Sequence, residues 1–196
     1  KNADAKRVPI IEHPDVRRML MVQKVYEETM RSFLYKMGMH LDLSHNHPDQ
    51  TQRDLSIQFI DLLTPIAKGH CNDIGFDCTV QGLQVLGGYG YSSEYPVEQL
   101  VRDTKIASIY EGTNGIQALD LLGRKMRMKG GGLFLAWLQE ANNSIQPMLE
   151  HERLADIFQG VDKAKNVLAE TAFGFSQSQK GDPEAALLGA TPFLEM

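Results

Sequence analysis

The residues with the most chemical content lie in one run, Ser108-Ile109-Tyr110-Glu111-Gly112-Thr113-Asn114-Gly115-Ile116-Gln117. Glu111 directly follows an aliphatic and an aromatic residue. A carboxylate enclosed by apolar groups is disfavoured in its charged form, which suits it to accept a proton. A glycine hinge and a Thr-Asn pair that reads as a helix start come next. A fresh helix start offers unpaired backbone N–H groups to an anion. One short segment therefore combines a candidate proton acceptor with a candidate seat for phosphates. On these residues alone a second reading stays open, in which Tyr110-Glu111-Gly112 is an ordinary turn with a solvated carboxylate.

Upstream lies Gln84-Val85-Leu86-Gly87-Gly88-Tyr89-Gly90-Tyr91, followed by Ser92-Ser93-Glu94-Tyr95-Pro96-Val97-Glu98. Gly87, Gly88 and Gly90 suit either a close backbone approach to a cofactor or a plain helix C-cap and turn. The set is not a dinucleotide fingerprint, because it follows a helix rather than a strand. His45-Asn46-His47 with Asp49 invites a metal reading, but the segment reads as a loop and no third ligand has suitable spacing. No Ser-His-Asp or Cys-His set stands at a productive spacing, and Trp137 reads as core.

Helices must position these residues. Val16, Met19, Leu20, Tyr26, Met30, Phe33, Leu34 and Met37 recur at helical spacing and predict a long amphipathic helix over 13–42. The polar stretch 44–50 reads as a loop, and a second helix is expected over 51–63. Thr64-Pro65 reads as an N-cap with proline at the first position of the next helix, which should run to Leu86 and stop at Gly87-Gly88. Its Ala67, Gly69, Cys71, Gly75, Cys78 and Gly82 permit close helix packing. Short helices should follow over 96–106 and 113–128. Gly130-Gly131-Gly132 is the clearest break, with helical stretches over 133–149, 151–178 and 183–190 beyond it. The expected fold is all-α: an up-and-down helical bundle over 1–129, then an additional partial helical segment over 130–196. No strand, internal repeat or low-complexity tract is expected.

The formal net charge of −5 argues against a nucleic-acid or anionic-membrane surface. No apolar run is long enough to span a bilayer. The first seven residues have no apolar stretch of the signal-peptide kind. Cys71 and Cys78 fall seven apart on one expected helix, about 10 Å along its axis, too far for a disulfide. They fit small buried packing residues in a reducing cytosol, and a cytoplasmic protein is expected. Both ends of the chain read as cut.

Taken together, the run from Gln84 to Gln117, with Arg102-Asp103-Thr104-Lys105 between its two motifs, resembles the C-terminal helical domain of acyl-CoA dehydrogenases. These are FAD enzymes that oxidise acyl-CoA thioesters. The continuation Ala118-Leu119-Asp120-Leu121-Leu122-Gly123-Arg124-Lys125 is similar to a larger branch with an extra C-terminal helical segment, one member of which acts on 3-methylmercaptopropionyl-CoA. The resemblance implies that Glu111 is the catalytic base in α,β-dehydrogenation to a trans-2-enoyl-CoA, with FAD as hydride acceptor. Some family members place that base on an earlier helix. It further implies that Gln84, Val85, Leu86, Gly87 and Gly88 contact FAD of a neighbouring subunit, and that Thr113, Asn114 and Gly115 contact the cofactor as well. Asn114 and Gly115 depart from the commoner pattern, which has glutamine at 115, so contact there falls to the backbone. Tyr110 and Gly112 would line the acyl site, although plain core packing suits Tyr110 equally.

The partners implied are an acyl-CoA substrate, electron-transfer flavoprotein as electron acceptor, and further copies of the chain in a dimer or tetramer. The family's N-terminal helical domain and β-domain are absent from the sequence, so the chain alone is expected to be inactive. Two other readings stand beside this one: a non-catalytic helical oligomerisation or binding module, and a DNA-associated relative. The latter is disfavoured by the acidic balance and the lack of a basic stripe.

Overall fold

The computed structural model describes residues 6–196, and of Gln179, Lys180 and Pro183 the backbone alone. The reading of the N-terminal residues falls mainly on 1–5, outside the described residues. Every regular element among the described residues is helical: α1 Pro14–Asn46, α2 Gln50–Lys68, α3 His70–Leu86, α4 Gly88–Tyr91, α5 Val97–Lys105, α6 Asn114–Gly123, α7 Gly132–Ile145, α8 Ala155–Gly181, α9 Pro183–Leu188 and α10 Ala190–Glu195. The chain forms two compact helical units. One holds the described residues up to Lys36 together with Cys71–Glu111; the other holds Met37–His70 and Gly112–Met196.

In the first unit α3 runs beside α1 and α5, and none of its residues is fully buried. A Cβ at Gly82 would meet Gln23 of α1 at 3.4 Å and Val97 of α5 at 3.8 Å. One at Gly75 would meet Thr104 at 3.9 Å. These are ordinary contact distances. Cys71 and Cys78 lie on this helix as free thiols, half-buried rather than fully buried. Burial pushes both thiols up, and Asp77 adds to this at Cys78.

The second unit holds the main core. Phe59 and Leu62 of α2, Ala118, Leu121 and Leu122 of α6, Leu133 and Phe134 of α7, Ala172 of α8, and Phe193 and Leu194 of α10 form one buried cluster. Trp137 packs beside it, stacked on Phe134. The core joins residues on both sides of the glycine run: Leu122 before it and Leu133 after it. Lys129, Gly130 and Gly131 take left-handed backbone there, so the run is a tight reversal within one packed body. The division into units thus differs from the expected boundary at 129/130.

Several helix ends differ from the expectation, each for a local reason. The predicted loop at 44–50 shrinks to His47-Pro48-Asp49. Ser44 and Asn46 donate to the helix's own carbonyls, at Leu41 and Asp42, so their polarity does not end it. Thr64-Pro65 does not start a helix: α2 runs through to Lys68 with Pro65 inside it. The Thr64 hydroxyl donates back to Ile60 C=O at 2.7 Å instead of accepting a cap bond, and Pro65 is fully buried. The break falls at Gly69, where a Cβ would meet Leu194 at 2.6 Å. Arg102 and Asp103 are both exposed and form no ion pair among the described residues. The apolar end of the chain, α10, supplies Phe193 and Leu194 to the core and had not been read as an element.

Candidate active site

Two stretches of the first unit carry expected site residues. The last turn of α3 presents Gln84, Val85 and Leu86, with Val85 half-buried and the other two exposed. The helix stops at Gly87, whose φ of 60° is one that glycine takes at little cost. The short α4 begins at once, a helix where only a turn was expected. Nothing lies within 4 Å of a Cβ at Gly87 or Gly88, so the backbone here is open to an approaching ligand.

Glu111 ends the other stretch. The chain leaves α5 through a 3-10 turn at Ile106–Ser108. The carbonyl of Ile106 accepts from both Ile109 N and Tyr110 N, at 3.0 and 3.1 Å. Asn72 of α3 donates to Ala107 C=O at 3.1 Å. Glu111 then takes a φ of 52°, uncommon for a residue with a Cβ. Among the described residues no apolar pocket encloses Glu111 as anticipated. Glu111 is exposed, and Ile109 and Tyr110 are 53% and 54% exposed.

The remaining expected residues open the second unit. Gly112 has a φ of 92°, and a Cβ there would stand 3.2 Å from the side-chain nitrogen of Gln117. Thr113 caps α6 as expected, its hydroxyl accepting from Ile116 N at 3.4 Å. The N–H groups of Asn114 and Gly115 have no partner within the helix, by the geometry of a helix start. Gly115 is exposed, with only the Thr113 hydroxyl, at 3.7 Å, near a Cβ placed there. Asn114 donates to Gly69 C=O at 3.3 Å, which satisfies a carbonyl freed by the break after α2. Its own side-chain oxygen is buried and unpartnered. An open helix start, a glycine without hindrance and an orphaned acceptor fit the polar and anionic parts of a dinucleotide such as FAD.

Other candidates carry less. His47 Nδ1 accepts from Asp49 N, and the Asp49 carboxylate accepts from Thr51 N, so both serve the ends of α1 and α2. A cleft of about 380 Å³ in the second unit is lined by Leu122, Met126, Arg127, Phe134 and Phe173 among others, and it contains none of the expected site residues. Sequence reading missed Asn72 and Gln117. A polar residue on a helix carries no mark of a partner 35 positions away, and both emerge only from the packing.

Comparison with known proteins shows the family. Residues 1–126 match the family model described as acyl-CoA dehydrogenase, C-terminal domain. The chain belongs to the acyl-CoA dehydrogenase family. It is 36% identical to a butyryl-CoA dehydrogenase of Syntrophomonas wolfei over 187 residues, 95% of this chain and 30% of that protein. It is 34% identical to the 3-methylmercaptopropionyl-CoA dehydrogenase of Ruegeria pomeroyi over 188 residues, 95% of this chain and 32% of the relative. A broad-specificity linear acyl-CoA dehydrogenase of Mycobacterium tuberculosis is 41% identical over 131 residues, 66% of this chain and 21% of that protein. The chain thus spans about a third of the length of the first two relatives. Among the described residues no helix is long and apolar enough to cross a membrane.

Proposed function

We propose that this chain is the flavin-facing helical domain of an FAD-dependent acyl-CoA dehydrogenase, with Glu111 as the base. The observation that supports this most is local. Glu111 stands at the end of a turn held to α3 and directly before an uncrowded, Thr-capped helix start. The α-proton of a thioester is weakly acidic, so its removal requires a base held next to the α-carbon. Glu111 takes that proton. FAD, when bound, supplies the acceptor for hydride leaving the β-carbon, so the product is a trans-2-enoyl-CoA. Thr113, Asn114 and Gly115 hold the cofactor at the start of α6. Gln84, Val85, Leu86, Gly87 and Gly88 hold the FAD of a neighbouring subunit, and Tyr110 and Gly112 border the acyl chain. Electrons pass on to an electron-transfer flavoprotein. The family boundary falls at the glycine run, with 1–129 the C-terminal helical bundle of the family and 130–196 the additional segment.

The cofactor assignment is open to test in the whole flavoprotein that carries this chain. Gln84→Ala and Thr113→Ala are each expected to weaken FAD retention by about 1–2 kcal/mol, the scale of one lost hydrogen bond. Flavin content after extensive dialysis reads the effect, and full flavin in both variants would remove these positions from the cofactor site.

Assembly is the second role, because this chain leaves much apolar surface uncovered. Met21 and Val25 of α1, Leu100 of α5, and Ile106, Ile109 and Tyr110 are all at least half exposed. Faces of this kind mark contact surfaces. The chain is expected to self-associate at concentrations of about tens of micromolar, the range of weak association. Light scattering reads this directly, and a strict monomer at that concentration counts against the role.

A further inference from the structure

The side chains that hold the Glu111 segment come from one face of α3. Asn72, Gly75 and Phe76 fall within about one turn of each other on that helix. Asn72 donates its amide to Ala107 C=O at 3.1 Å. The Phe76 ring takes the Lys105 ammonium at 4.8 Å from its centroid. Gly75 faces Thr104, whose methyl would lie 3.9 Å from a Cβ placed there. Carbonyls at the end of a helix have no partner within it, and Asn72 supplies one from 35 residues away. Beyond that bond the chain has little freedom. Ser108 is buried and its hydroxyl donates to Lys105 C=O at 2.9 Å. Ile109 N and Tyr110 N both donate to Ile106 C=O. A short run of hydrogen bonds therefore leads from Asn72 to the residue just before Glu111.

We propose that Asn72 is a positioning residue for Glu111, a role that rests on the reading of Glu111 as base. The Asn72 amide fixes where the chain exits α5, and so fixes the carboxylate relative to the α-carbon it must reach. Displacing a reacting group by about 1 Å costs up to about a hundredfold in rate. A residue that acts in this way lowers the chemical step and leaves ground-state binding alone.

The test uses the whole flavoprotein and compares Asn72→Ala, Asn72→Asp, Asn72→Gln and Glu111→Gln. The readouts are FAD content, KM for acyl-CoA, the rate of flavin reduction in stopped flow, and the isotope effect with an α-deuterated substrate. Asn72→Asp matches the native side chain in size and, when ionised, donates no hydrogen bond. It decides the outcome if Asn72→Ala fails to fold. Expected for Ala and Asp are normal FAD, little change in KM, flavin reduction slowed about ten- to a hundredfold, and a larger isotope effect. Asn72→Gln, which keeps the NH₂ donor, recovers much of the rate. Wild-type reduction in Asn72→Asp, with Glu111→Gln inactive, overturns the positioning role and leaves the base intact. So does a loss in Asn72→Asp that tracks lost FAD. Wild-type reduction in Glu111→Gln overturns the base, and the positioning role falls with it.

Discussion

Glu111→Gln in the whole enzyme should retain FAD and bind acyl-CoA while nearly abolishing dehydrogenation. The amide is close in size to the carboxylate, so local packing survives. Glu111 is exposed in this chain, and bonds that fix its segment include those of Asn72, Ser108 and Ile106. Those groups are untouched by the change. An amide does not take up the α-proton, and a positioned base contributes about 10²–10⁴-fold. Because departure of the β-hydride is coupled to that deprotonation, the loss falls at the upper end of this range. Stopped-flow mixing with saturating acyl-CoA measures it as lost flavin bleaching. Reduction at the wild-type rate would move the base to an earlier helix.

The largest effect on stability is expected where α2 meets the segment after α6. Lys125 is buried, its side chain only 4% exposed, and its ammonium donates to the Asp61 carboxylate at 2.6 Å. Asp61 is half exposed. The two partners are therefore not equivalent. Asp61→Ala leaves an ammonium inside the protein without its counter-charge. Breaking a buried pair in this way costs about 3–5 kcal/mol, and the low end applies here because the solvated side of Asp61 lets water approach. Lys125→Met removes the charge, keeps the volume in the core, and leaves Asp61 to be hydrated where it stands. It should cost about 1 kcal/mol or less, since replacing a buried charge with an apolar side chain of similar volume is often neutral. Urea unfolding of the two variants side by side checks the asymmetry, and equal losses would show that the pair is only a surface contact.

Much of the fold was legible because apolar residues recur with helical period, and the resemblance of 84–117 named the candidate site. What the sequence hid depended on distant packing. Thr64-Pro65 has the composition of a helix start, yet α2 continues through a fully buried Pro65 and breaks at Gly69, where Leu194 leaves no room for a Cβ. The glycine run looks like a boundary, yet Leu122 and Leu133 on either side share one core. At the site, the Thr113 cap followed from local chemistry alone. The left-handed backbone at Glu111 did not, since nothing about a glutamate marks a positive φ. The expected pocket around Glu111 required partners that a reading of neighbours along the chain does not supply.

The central claim is that this chain supplies the base of a flavin-dependent acyl-CoA oxidation. Anaerobic titration of the whole flavoprotein with a panel of acyl-CoA thioesters tests it most directly, by flavin absorbance and by analysis of the thioester product. Bleaching of the flavin with matching formation of a trans-2-enoyl-CoA is the expected result for at least one chain length. A flavin that stays oxidised with every thioester in the panel, or a whole protein that binds no flavin, would contradict it.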